Sequence, residues 1–69
     1  MEILATRMRE LRKEKKLSQE VTAKVLGVAW LSYQRYEGNE REPRAPFIAA
    51  FAEYFNVSTD YLLGLSDDR

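Results

Sequence analysis

Residues 17–37, Leu17-Ser18-Gln19-Glu20-Val21-Thr22-Ala23-Lys24-Val25-Leu26-Gly27-Val28-Ala29-Trp30-Leu31-Ser32-Tyr33-Gln34-Arg35-Tyr36-Glu37, decide the fold of this chain. Ser18 follows the apolar Leu17 and directly precedes Gln19 and Glu20, the place of an N-cap that accepts from the first-turn amides. The helix it opens reaches Leu26 and stops at Gly27, because glycine adopts the left-handed conformation of a helix C-terminus without a steric penalty. A second helix spans roughly Trp30 to Glu37, after which Gly38 and Asn39 tolerate left-handed backbone and Pro43 forbids continuation. Two helices of about two turns each are therefore joined by a short turn built around one glycine.

The flanking sequence is also helical. Upstream, Met1, Leu4, Met8 and Leu11 recur at three and four residues with charged side chains between them, the pattern of an amphipathic helix that runs to about Lys15. Downstream, Pro46 suits a first helical turn, and Phe47, Ile48, Phe51, Ala52 and Phe55 follow at helical spacing until Asn56 offers a stop. Ser58 caps a short last helix, Thr59 to Leu63, with Asp60 near its positive end and Gly64 beyond its negative end. The expected architecture is all-α and compact, five helices in one domain over residues 1–65, with residues 66–69 as a short loose tail. Sixty-nine residues leave no room for a second unit.

Composition narrows the function. With no Cys and no His, neither a disulfide framework, structural zinc nor thiol chemistry is expected, and no cofactor or metal is implied. Nothing near Met1 resembles a signal peptide and no apolar run approaches membrane-spanning length, which reads as a cytoplasmic protein. Eleven basic residues balance eleven acidic ones, so overall charge carries none of the excess of a strong nucleic-acid binder. The balance is uneven: residues 1–26 hold seven basic and four acidic side chains, and residues 27–69 hold four and seven. The second half repels phosphate.

In order and spacing, Leu17-Ser18-Gln19-Glu20, Ala23, Leu26-Gly27-Val28, Tyr36-Glu37, Arg41-Glu42-Pro43 and Phe55-Asn56-Val57-Ser58 through Tyr61-Leu62-Leu63-Gly64 resemble the Cro/repressor helix-turn-helix family of the xenobiotic-response-element class. The resemblance covers almost the whole chain, from about Leu4 to Leu65. It implies a DNA-binding transcriptional regulator whose second helix crosses the backbone of double-stranded DNA and whose third enters the major groove. Gln19 would then contact phosphate, Trp30, Leu31, Gln34 and Arg35 would face base edges, and Arg41 would approach the backbone from the following loop. Arg12 and Glu37 fall where the family often places a structural ion pair.

The reading face departs from that pattern. Trp30 and Leu31 lack the donors and acceptors of base readout, and a leucine there can at best touch a thymine methyl, so only Gln34 and Arg35 retain hydrogen-bonding chemistry. Ala29 stands where the family usually has Ser or Thr, which removes an N-cap worth about 1 kcal/mol. Val21 stands where an acidic residue would complete a capping box with Ser18. Thr22 replaces a core aliphatic. Ala49 and Ala50 smooth the fourth helix.

Val21 and Val25 lie one turn apart, outside the stripe of Ala23 and Leu26, and so project towards solvent beside Trp30 and Leu31. Four such residues approach the size at which an apolar patch marks a partner. A protein-binding module, natural or engineered on this scaffold, would use Val21, Val25, Trp30 and Leu31 as anchors with Gln34 and Arg35 at the rim, against another protein or in a homodimer. A rotated third helix would instead bury Trp30 and Leu31 beneath the second. Tyr33, Tyr36, Tyr54 and Tyr61 read as core and rim rather than a stacking platform for single strands. An enzyme is the weakest reading, since no catalytic constellation is evident and a domain of this size has little room for a pocket.

Overall fold

A computed structural model describes residues 1–69 as five helices: α1 Glu2–Glu14, α2 Gln19–Leu26, α3 Trp30–Glu37, α4 Ala45–Phe55 and α5 Thr59–Leu62. Local chemistry sets the boundaries. Ser18 Oγ accepts from the Val21 amide at 3.1 Å to open α2, and Gly27 closes it at φ +72°. Ser58 Oγ accepts from the Tyr61 amide at 3.0 Å to open α5. Asn56 ends α4 at φ +56°, in the left-handed region that asparagine tolerates.

Two turns differ from expectation. After α3 only Asn39 is left-handed, at φ +57°, while Gly38 keeps φ −82°. After α1 the reversal falls on Lys16 at φ +57°, where no glycine or asparagine announces it.

α4 is the spine of the core. Its Phe47, Phe51, Ala52 and Phe55 are buried against Leu4, Met8 and Leu11 of α1 and Leu62 of α5. Phe51 and Phe55 stack with ring centroids 4.3 Å apart, and Tyr36 leans on Phe47 at 4.9 Å. Tyr33 from α3 and Ala23 from α2 close the same cluster. Thr22, where an aliphatic was expected, is fully buried with its hydroxyl donating to the Ser18 carbonyl at 2.8 Å, so its polarity is satisfied within its own helix.

The tail is held rather than loose. The Ser58 amide donates to the Arg69 carbonyl at 2.7 Å, and Arg69 forms an ion pair with Glu14 of α1. Arg7 donates to the carbonyls of Tyr61 and Ser66, pairs with Asp67 at 2.9 Å, and lies 4.1 Å from the centre of the Tyr61 ring. A guanidinium with several donors and a flat face can gather backbone carbonyls and an aromatic ring at one point, which composition does not reveal.

Candidate nucleic-acid interface

The turn between α2 and α3 is fixed by backbone bonds: the Gly27 amide donates to the Lys24 carbonyl at 3.2 Å and the Val28 amide to the Ala23 carbonyl at 3.0 Å. Ala29 occupies the N-cap of α3 with extended backbone and no capping side chain. With α3 so oriented, Tyr33 and Glu37 point inward and are buried, while Trp30, Leu31, Gln34 and Arg35 are exposed. These four stand in two rows one helical turn apart, Trp30 with Gln34 and Leu31 with Arg35. Trp30 and Leu31 are 49% and 56% accessible, which rules out their packing beneath α2.

Beneath this face lies a charged junction. Arg12 Nε donates to Glu37 Oε2 at 2.7 Å and Arg12 Nη2 to Glu37 Oε1 at 3.1 Å, a bidentate pair in which the Glu37 side chain is 2% exposed. The pairing raises the affinity of Arg12 for its proton, the hydrogen bond to Glu37 outweighing the cost of burial. Arg12 Nη1 also donates to the Leu17 carbonyl at 2.8 Å, and Arg9 Nη1 to the Glu37 carbonyl at 2.9 Å. Three helices meet on one carboxylate.

Gln19, assigned by resemblance to phosphate, belongs to this junction as well: its Nε2 donates to Glu37 Oε1 at 3.1 Å. The Tyr33 hydroxyl is buried here without a hydrogen bond, and burial, reinforced by the negative charge of Glu37, pushes its phenol above its ordinary range. Arg41 is exposed in the loop between α3 and α4, apart from the junction. Sequence reasoning missed Arg9 and the Gln19 amide. Their bonds depend on how α1 and α2 cross α3, and no local spacing encodes that crossing.

On the α2 side Val21 and Val25 are 46% and 48% accessible. Val25 also lines an open depression of about 300 Å³ with Leu26, Ala50, Glu53 and Tyr54, between α2 and α4. Lys15 Nζ lies 5.5 Å from the centre of the Tyr54 ring. The molecule therefore presents an apolar head on α3, two valines on α2 and a shallow groove behind them.

The helix-turn-helix family matches residues 8–62 of the chain. The HTH-type transcriptional regulator YobD of Bacillus subtilis is 42% identical over 62 residues, which are 90% of this chain and 55% of that protein. The HTH-type transcriptional regulator AnsR of the same organism is 41% identical over 58 residues, covering 84% of this chain and 50% of AnsR. The chain thus spans about half the length of the curated relatives it matches. Among solved structures, the P22 c2 repressor in complex with synthetic operator 9T superposes with a TM-score of 0.80 at 30% identity, covering 86% of this chain and 89% of that one. The solution structure of the DNA-binding domain of the same repressor also gives 0.80, at 31% identity over 96% of this chain and 90% of that one. No helix of the chain is long and apolar enough to cross a membrane. By family match, by identity to regulators and by superposition on a repressor, this chain is a member of the helix-turn-helix family.

Proposed function

We propose that the chain is the DNA-binding module of a repressor-type transcriptional regulator, with α2 lying across the backbone of double-stranded DNA and α3 in the major groove. The observation that carries this reading is the outward face of Trp30, Leu31, Gln34 and Arg35 on α3, in a chain that superposes on a repressor solved in complex with its operator. Gln34 and Arg35 have the chemistry to reach adenine and guanine edges, and Arg41 to reach a phosphate. Gln19 keeps a second amide hydrogen for phosphate while Glu37 holds the first. The relatives are transcriptional regulators, not a class of enzyme, and no residue is given a catalytic role.

Binding by this module alone is expected to be weak. A net charge of zero supplies little counterion release, so affinity near physiological salt should be no better than about micromolar. Two modules paired through the α4–α5 side would set two α3 helices about 34 Å apart for a palindromic operator. A duplex titration at two salt concentrations, beside sedimentation of the free chain, tests both statements. Nanomolar, sequence-selective binding by the monomer would refute the weak-binding estimate.

A second reading is favoured by one observation, the half-exposure of Val21, Val25, Trp30 and Leu31 on two adjoining helices. These side chains would anchor a protein partner or a second copy of the chain, with Gln34 and Arg35 at the rim. Sedimentation distinguishes the two readings: association without DNA that is abolished by Trp30→Arg favours the protein interface.

A further inference from the structure

We propose that two copies of the chain pair about a two-fold axis, the Trp30 head of each α3 docking in the depression between α2 and α4 of the other; this rests on the protein-interface reading above. The depression, about 300 Å³ and lined by Val25, Leu26, Ala50, Glu53 and Tyr54, is open to solvent. Ala50 and Tyr54 stand one turn apart on the exposed side of α4, and the alanine leaves the space beside the tyrosine ring unfilled. An aromatic side chain seated in such an apolar space is the usual anchor of a protein interface. The chain supplies that anchor itself: Trp30, its only tryptophan, is 49% accessible at the start of α3.

Charge selects a second copy as the occupant. Glu53 is the one charged residue lining the depression, and its carboxylate has no ion pair within the chain. The outward face of Trp30, Leu31, Gln34 and Arg35 also carries a single charge of the opposite sign, on Arg35, which is exposed and equally without an acidic partner. Docking the head brings Arg35 of each copy towards Glu53 of the other. A net charge of zero sets no repulsion between copies. Val25 sets the symmetry: it lines the depression and lies in the last turn of α2, just before the turn that leads to Trp30. Along the surface the order is head, Val25, depression, and a two-fold axis at Val25 lays each head on the other copy's depression. Unlike a pair formed through the α4–α5 side, this dimer covers the face that would read DNA, so pairing and DNA binding exclude each other.

Sedimentation of the full chain over a concentration series is the test, and wild type is expected to pass from monomer to dimer and no further. Trp30→Arg removes the anchor and Ala50→Gln fills the depression with a neutral side chain. Each should weaken the dimer at least about ten-fold, with the helical circular dichroism unchanged. Arg35→Glu and Glu53→Arg should each weaken it too, and the double variant R35E/E53R should recover most of the loss. At concentrations that dimerise wild type, Ala50→Gln should bind a DNA duplex more tightly than wild type, and the two should bind alike where wild type is monomeric. Wild type that stays monomeric up to about millimolar concentration overturns the dimer and leaves the exposed face to DNA or to a different protein. Association that Trp30→Arg abolishes and Ala50→Gln leaves intact overturns the depression as the docking site while the protein-interface reading stands. Association that neither variant changes belongs to other surfaces and overturns both. Assemblies larger than two copies overturn the two-fold arrangement.

Discussion

At the junction of α1, α2 and α3 a carboxylate is buried against a guanidinium, whereas on the outer side of the same α3 a tryptophan and a leucine stand half in water. The usual placement of polar and apolar groups is inverted twice within one helix of eight residues. The two inversions differ in kind. The buried charges are satisfied on every side, by the bidentate pair, by Gln19 and by backbone carbonyls, so they fix the angle between helices at the cost of desolvation. The exposed apolar pair leaves about half of its surface in water, and it is on this surface that the proposed binding face rests.

Breaking the buried side should have the largest effect. Glu37→Ala leaves Arg12 desolvated and unpaired and frees Gln19, and should destabilise the fold by about 3 kcal/mol in urea unfolding. A loss within about 0.5 kcal/mol would place the pair among exposed salt bridges and contradict its observed burial.

Tyr33→Phe probes the same junction with the opposite sign. It removes a buried hydroxyl that has no partner and should stabilise the chain by about 1 kcal/mol at neutral pH. The folded chain opposes ionisation of this phenol, so the unfolded chain releases its proton first. Stability is unaffected below the ordinary phenol value near 10 and falls as pH climbs above it. Tyr33→Phe should flatten that alkaline decline in a pH series of melting temperatures.

Smaller effects are expected on the exposed side. Ala29→Ser supplies the missing cap of α3 and should add about 0.5–1 kcal/mol, and Val21→Glu should add a similar amount by completing the box with Ser18. Destabilisation by either would mean that the native side chain contributes more through packing than the cap returns. Trp30→Arg should change monomer stability by no more than about 0.5 kcal/mol while altering whatever the face binds. If instead it unfolds the chain, the contrast between the two sides of α3 is lost.

How much was legible follows the range of each interaction. Ser18, Gly27, Asn56 and Ser58 act within a few residues, and the sequence alone places α2, α4 and α5 through them. The exposure of Val21 and Val25 follows from helical spacing within α2, whereas that of Trp30 and Leu31 depends on how α3 is rotated, which the sequence left open between an outward and a buried face. Lys16 was illegible because lysine has no preference of its own for left-handed backbone, and the residue that follows it, Leu17, packs against the core. Arg7 and the tail were illegible for a similar reason: the arginine side-chain bonds that hold them span 54 to 60 residues. Gln19 lay between these cases, since its residue type signalled a polar contact while its partner depended on the crossing of α2 and α3.

The bidentate pair between Arg12 and Glu37 also has a kinetic meaning. It closes a loop of 25 residues around the whole of α2, in a chain otherwise joined by short turns. Such a chain can bring its helices together quickly, but a bidentate pair requires both forks aligned and dehydrated, which comes after most apolar surface has been buried. The pair is therefore expected to act as a latch on the exit from the native state: in a denaturant series of folding and unfolding rates, Glu37→Ala should leave the folding rate nearly unchanged and speed unfolding.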